Sequence, residues 1–373
     1  MQNISFRKNN LSIKDKILSI DIVLFFLILL LGIISFFAMY STERGNIDYY
    51  TKNHIYRFII FFSTFILISF INIKFWYKYS YIFYIIILLL LIGVNFFGIT
   101  ASGSTRWIDL FIINLQPSEL MKIALIMFLA KYYNKIPTRD VNSIKFLLQP
   151  LLAIFIPVFL VLSQPDLGTS ILIASGGFIL IWLSGVKLKY FIYTFFALIC
   201  SAPFAVAFLK PYQKLRILSF FNPERDPLGA GYQLVQSKIA IGSGGFFGKG
   251  FLKGSQSYLD YLPEKHTDFI FTLFSEEFGF FGSLFLLSIY FLIIQRIILI
   301  GNNAKNSFSK LYCYGFGAAF FVYVVVNMSM VLGLLPIVGA PLPIMSYGGS
   351  AMLSIMLGLG IVMSCKIHQK EEM

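Results

Sequence analysis

Asp268 is the side chain in this sequence best placed to move a proton. It ends the polar run Leu262-Pro263-Glu264-Lys265-His266-Thr267. Phe269-Ile270-Phe271 follows at once and opens an apolar stretch that reaches Ile300. A carboxylate where a water-exposed loop enters a membrane is partly desolvated, which suits it to general-base work. The architectural alternative is a cap: Thr267 or Asp268 at the N-cap of the next helix, its oxygen on the positive helix end. His266 is a candidate second donor. Standing two residues from Asp268, it shares a side with it only in extended chain.

Other charged groups could serve or support such a site. Gln116-Pro117-Ser118-Glu119-Leu120-Met121-Lys122 has a helix start at Pro117, and Glu119 and Lys122 lie three apart on one helix face. A lone charge in lipid is costly, so the two are expected to pair inside the bundle, either supporting the site or as pure architecture. Asp166, in Gln164-Pro165-Asp166-Leu167-Gly168, could cap the next helix or line an external site.

The block Gln236-Ser237-Lys238-Ile239-Ala240-Ile241-Gly242-Ser243-Gly244-Gly245-Phe246-Phe247-Gly248-Lys249-Gly250 tempts a nucleotide-loop reading and fails it. Ser243 and Gly250 stand where a Walker loop needs Gly and Ser or Thr, and Phe247 breaks a dinucleotide fingerprint. What remains is a backbone that a ligand could approach closely, with Lys238, Lys249 and Arg216 near in sequence. That surface suits a phosphate or pyrophosphate. A Gly-rich turn between short amphipathic helices is the alternative.

Three prolines and one glycine between Pro336 and Pro343 forbid regular helix there. Irregular backbone at membrane depth needs protein or water beside it. Ser346, Tyr347 and Ser350 are then expected at a cavity mouth, the alternative being a re-entrant packing element.

These groups need a scaffold, and the composition names its class. Of 373 residues, 58% are hydrophobic and 13% charged, against about half and a quarter in soluble domains. The expected fold is an all-α polytopic membrane protein. About ten transmembrane helices fall near 20–40, 56–73, 78–98, 118–133, 146–163, 168–186, 189–209, 270–300, 311–335 and 346–366. Glu276, Glu277 and Gly279 are expected to break the eighth. The first nineteen residues are polar and basic, without a cleavable signal.

Seventeen of the 30 Lys and Arg fall in segments that lie inside if the amino terminus does. Twelve lie outside, offset by nine acids, and Lys122 is left within a span. The positive-inside rule thus puts both termini in the cytoplasm: residues 1–19 and 367–373 inside, and one long loop, 210–269, outside. Trp107 fits an outer interfacial belt. The net charge of +13 fits orientation and anionic lipid rather than nucleic acid. Cys200, Cys313 and Cys365 have neither metal-site nor disulfide spacing.

Taken together, the QPSEL..K, QPDLG, NPE.DPLGAGY, QS.IAIGSGG..GKG, LPE.HTDFIF and GLLPI.G.PLP..SYGGS blocks, in this order over almost the whole chain, resemble the SEDS family (shape, elongation, division and sporulation). Gln256-Ser257 before Tyr258-Leu259-Asp260-Tyr261, and Ser350-Ala351 after Gly348-Gly349, resemble its elongation branch, RodA-like, more than its division branch, FtsW-like. The resemblance implies a ten-span fold in the bacterial cytoplasmic membrane, a single domain over 1–373 and an extracytoplasmic site. It implies a glycosyltransferase that polymerises lipid II, the undecaprenyl-pyrophosphate disaccharide-pentapeptide, beside a class B penicillin-binding protein and other elongation-complex membrane proteins. It carries the catalytic aspartate onto Asp268 and a supporting ion pair onto Glu119 and Lys122. Asp268 would be the general base of a single inverting displacement, with Lys265, His266, Arg216, Lys238, Lys249, Ser346 and Tyr347 as substrate-binding candidates. No cofactor is required; a divalent cation, Mg or Mn, could assist, although the sequence offers no dedicated carboxylate cluster. Ser329, where the family often has glycine, and Thr272-Leu273-Phe274-Ser275 depart from the pattern and bear on local packing. The rival readings are a flippase for the same lipid and a non-catalytic scaffold.

Overall fold

The computed structural model describes residues 12–101, 104–109, 114–137, 139–208, 211–223, 229–255, 261–262 and 264–371. The blocks 224–228 and 256–260, Pro263 and the Arg216 side chain lie outside the described set.

Long helices occupy the apolar segments of the sequence. After a short α1 (Ile13–Leu18) come α2 (Ile22–Thr42), α3 (Tyr49–Ser69), α4 (Ile73–Phe97), α5 (Pro117–Asn134), α6 (Ile144–Ser163), α7 (Leu167–Leu183) and α8 (Leu188–Phe208). Two shorter helices, α9 (Pro211–Phe221) and α10 (Ala230–Gly244), follow. The chain closes with α11 (Ile270–Asn303), α12 (Ser307–Val331) and α13 (Gly349–Ile367). Among the described residues, α2, α4, α6, α11, α12 and α13 are long and apolar enough to cross a bilayer, and α7 is apolar but shorter.

Local chemistry sets where these helices begin. Asp21 caps α2 by accepting from Leu24 N–H at 2.9 Å, and Asn306 caps α12 by accepting from Ser309 N–H at 2.7 Å. At α3 the cap residue, Asp48, makes no side-chain cap bond. Glu43, from the end of α2, takes its place and accepts the N–H groups of Tyr50 at 2.7 Å and Thr51 at 2.9 Å.

The core is built around α5. It packs against α4, α6, α7, α12 and α13, and nearly all of it from Pro117 to Tyr133 is buried. Protein rather than lipid surrounds this helix, which is why it can hold Glu119 and Lys122. The peripheral helices do the reverse and turn residues such as Ile59, Leu89, Phe159 and Phe291 outward. Exposed apolar surface of this extent marks a membrane protein.

One element corrects the all-α expectation. Ile99–Ala101, Ser104–Asp109 and Asn114–Leu115 form a three-stranded antiparallel sheet, β1-β2-β3, with Ile99 opposite Trp107 and Ile108 opposite Leu115. Thr, Ile and Trp side chains favour strands, and the segment is too short to span.

The break in α11 is real and sharp. Gly279 has φ 65° and ψ −160° inside the helix, a conformation only glycine adopts cheaply. Residues 270–278 therefore form a half-helix set off from the span that follows.

Candidate active site

One cavity of about 670 Å³ gathers most of the chemistry. Tyr49 and Arg57 line it from α3, Arg106, Trp107 and Asp109 from β2, and Glu119 from α5. Asp166 and Thr169 line it from the head of α7, Gln233 from α10, and Thr267 and Asp268 from the turn before α11. Tyr347 and Ser350 close it from the α12–α13 connection. All of these belong to the end of the bundle that the charge pattern assigns to the outside.

Asp268 is half-buried in a turn held from two sides. The N–H groups of Thr267 and Phe269 both donate to Glu264 O at 3.2 Å. Asn327 Nδ2 on α12 donates to Asp268 O at 3.0 Å and to Ala340 O at 2.6 Å. Ser346 Oγ donates to Thr267 O at 2.6 Å, and Tyr347 N–H to His266 O at 2.9 Å. These bonds hold the backbone of the turn, and Asp268 lines the cavity. A Cβ at Gly339 would stand 3.6 Å from Asp268 Oδ2. The capping alternative does not describe this end of α11: the cap position falls on Phe269, with no side-chain bond.

Glu119 and Lys122 do pair, with Lys122 Nζ 2.8 Å from Glu119 Oε2 and both residues buried. Tyr323 holds the pair from α12: its hydroxyl lies 3.3 Å from either Glu119 oxygen, and Lys122 Nζ sits 3.9 Å above its ring. Glu119 reaches the cavity, whereas Lys122 lies behind it.

Asp166 satisfies both of its readings. It caps α7, accepting from Thr169 N–H at 3.1 Å and Thr169 Oγ1 at 2.9 Å, and it lines the cavity. It also accepts from Gln116 Nε2 at 3.1 Å and lies 3.7 Å from Arg106 Nε. Arg106 Nη2 donates to Pro165 O at 2.7 Å, which fixes the guanidinium at the cavity wall.

Of the expected cations, Lys238, Lys249 and Lys265 do not line the cavity, and the Arg216 side chain lies outside the described residues. Lys249 binds Glu276 at 2.7 Å and Ser255 at 2.7 Å. The Lys238 stem lies along Gly333, and Lys265 is buried; neither lines the cavity. His266 is not among the cavity's lining: it stacks on Tyr50 at 4.0 Å, and its Nδ1 lies 2.8 Å from Thr42 Oγ1. Ser346 is a brace, accepting from Leu342 N–H at 2.7 Å while donating to Thr267 O. Arg57 and Arg106 take the expected place of the lysines. The one signal for Arg57 was a cation at the outer edge of an apolar run, where the charge rule asks for none.

Tyr347 alone of the loop pair reaches the cavity, with Arg57 4.5 Å over its ring. Burial pushes its phenol up to about 12 against the pull of Arg57, so it is a hydrogen-bond donor at neutral pH. Trp107, expected in an outer interfacial belt, lines the cavity.

The donor set does not fit a resident divalent ion. Among the described residues no three His, Cys, Asp or Glu cluster as ligands, and Glu119 and Asp166 are each held by a cation.

The glycine block forms a clasp on α11. Lys249 and Gly250 N–H donate to Glu276 O and Glu277 O, each at 3.0 Å, and Phe280 and Phe281 N–H donate back to Gly245 O at 2.9 Å and Phe246 O at 3.1 Å. A Cβ at Gly248 would fall 2.0 Å from Glu277 O, so only glycine permits the approach. The block supplies partners for backbone groups that the break at Gly279 orphans.

Comparison with known proteins agrees with this architecture. Residues 17–371 match the profile of the FtsW, RodA and SpoVE family, described as cell cycle proteins. The chain is 47% identical over 290 residues to the peptidoglycan glycosyltransferase MrdB of Escherichia coli K12, covering 77% of each. It is 38% identical over 320 residues to the probable peptidoglycan glycosyltransferase FtsW of Buchnera aphidicola from Schizaphis graminum, covering 84% of this chain and 90% of that one. In three dimensions it resembles a chain of a peptidoglycan synthase complex that coordinates polymerization and crosslinking. That match has a TM-score of 0.82 at 30% identity and covers 95% of this chain and 99% of that chain.

Proposed function

The chain belongs to the FtsW, RodA and SpoVE family, and from that premise we propose that it is a peptidoglycan glycosyltransferase of cell elongation, polymerising lipid II into β-1,4 glycan strands. The carrying observation is that Asp268 and two arginines, Arg57 and Arg106, line one cavity at the same end of a membrane bundle.

In the reaction, the 4-hydroxyl of the acceptor sugar attacks the anomeric carbon of the donor. The new C–O bond forms as the bond to undecaprenyl pyrophosphate breaks, and Asp268 takes the hydroxyl proton. An α-linked donor giving a β product needs one such displacement and one base. The leaving group is already activated, so the protein aligns the partners and stabilises developing charge. Arg57 and Arg106 supply that charge, and Tyr347 and Gln116 can donate hydrogen bonds to sugar or phosphate oxygens. Glu119–Lys122 keeps the cavity floor rigid and neutral.

Ten helices span the bilayer in this reading, α2 to α8 and α11 to α13, with both termini cytoplasmic and the cavity extracytoplasmic. α3 and α5 count as spans because protein covers polar groups such as Thr51, His54, Glu119 and Lys122, and α8 because its 21 residues are predominantly apolar and long enough. The similar synthase complex supports a crosslinking partner, a class B penicillin-binding protein, within a larger elongation assembly.

Incubating the purified, reconstituted chain with lipid II alone tests the reading. Glycan strands are the expected product. Translocated but unpolymerised lipid would identify a flippase, and no change a scaffold.

A further inference from the structure

Lys249 and Glu276 lie outside the cavity, yet they form a built cluster. Glu276 is fully buried, and its Oε1 accepts from Lys249 Nζ at 2.7 Å and from Ser255 Oγ at 3.0 Å. Lys249 Nζ also donates to Ser255 Oγ at 2.7 Å. The three side chains close a triangle between the glycine clasp and the far end of the half-helix 270–278.

Asp268 stands eight residues before Glu276, about two helical turns. Between them, Ser237 Oγ, 2.7 Å from Thr272 Oγ1, ties the half-helix to α10. Gly279 breaks the helix between the half-helix and the span beyond it, leaving a Ser283 Oγ to Ser275 Oγ bond at 2.9 Å across the break. The clasp holds the half-helix through two backbone bonds, to Glu276 O and Glu277 O, and one charged pair, and it takes the N–H groups of Phe280 and Phe281 from the span. At its other end, Asn327, Ser346 and Tyr347 hold the backbone that presents Asp268. The catalytic carboxylate thus stands on a short rod fixed at both ends.

We infer that Lys249 is a positioning residue for glycosyl transfer: its ion pair with buried Glu276 sets the depth and direction of the half-helix that carries Asp268. This rests on the glycosyltransferase reading above. A side chain so engaged acts on the turnover step rather than on substrate affinity, since Lys249 is paired away from the cavity. Misplacing a reacting group by about 1 Å costs on the order of 100-fold in rate.

Lys249→Met, Lys249→Arg and Glu276→Gln, in the full reconstituted chain, test the inference by lipid II polymerisation and by amide hydrogen exchange over residues 264–278. Lys249→Met is expected to lower kcat about 10- to 100-fold with KM within about twofold, and to speed exchange across the half-helix. Lys249→Arg, which can still reach Glu276, is expected to recover most of both. Glu276→Gln, which keeps an acceptor for Lys249 but loses the charge, should fall between. Raised KM with kcat kept would make Lys249 a substrate ligand and overturn the inference, as would unchanged kcat and exchange in Lys249→Met. If Lys249→Met fails to accumulate, Glu276→Gln with wild-type kcat and exchange overturns it. If the wild type makes no polymer, the functional reading fails while the exchange arm still judges the clasp.

Discussion

At the scale of single residues, the site divides charge between work and support. Arg106 is held by Asp166 and Pro165 O at the cavity wall, ready to meet an anion. Hydrogen bonds to charged groups contribute roughly 1.5–3 kcal/mol. Arg106→Met should therefore raise the KM for lipid II about 10- to 100-fold, read from initial rates across substrate concentration. Lys122 supports rather than binds. Glu119→Gln would leave its ammonium buried opposite a neutral amide. Removing one partner of a buried pair costs about 3–5 kcal/mol, so a marked drop in thermal midpoint in detergent is expected, with less loss when Glu119 and Lys122 are replaced together by Leu and Met. Of these side chains, Asp268, Glu119, Lys122 and Asp166 were legible in the sequence, because a carboxylate or cation beside apolar chain must be placed deliberately. Arg57 and Arg106 were not. Both count among the outside cations, which the charge rule leaves unexplained, and only three-dimensional convergence brings them to one wall.

At the scale of elements, the helix ends are set by side chains borrowed from neighbours. Glu43 caps α3 from the end of α2 and so positions Tyr49, Tyr50 and Arg57 at the cavity rim. Burial opposes its ionisation, but the Thr51 hydroxyl and the N–H groups of Thr51, Tyr50 and Asp48 prevail and hold its carboxyl below the ordinary range. A carboxylate with a lowered folded pKa stabilises the fold above its unfolded value and loses that contribution as pH falls through the lower folded one. Glu43→Gln should thus lower the thermal midpoint at pH 7, and the difference from wild type should shrink below about pH 4. The long helices were readable from apolar runs with caps, and the break in α11 from Glu276, Glu277 and Gly279. The sheet Ile99–Leu115 was not, since strands of two to six residues leave little periodic signal. The glycine block was left open between a ligand surface and a turn because its partners, Glu276 O and Glu277 O, are backbone groups that no side-chain pattern reveals.

At the scale of the whole molecule, a buried α5 surrounded by apolar helices makes a rigid wall, and the cavity sits at one end of it. In the proposed function, such a bundle lets two lipid-tethered sugars meet outside the membrane while their tails stay in it. The assigned orientation makes a direct prediction. In a chain whose native cysteines are replaced, Phe247→Cys on the exposed face of the clasp should react with a membrane-impermeant maleimide in spheroplasts. Lys370→Cys should react only after permeabilisation. The reverse pattern would place the cavity on the cytoplasmic side and remove it from extracytoplasmic chemistry. The most direct test of the account compares wild type with Asp268→Asn, both reconstituted with lipid II and both checked for an unchanged thermal midpoint. Loss of polymer by at least about 1,000-fold in the variant is the expected result, in line with removal of a general base together with its charge. Glycan strands made by Asp268→Asn at the wild-type rate would contradict it.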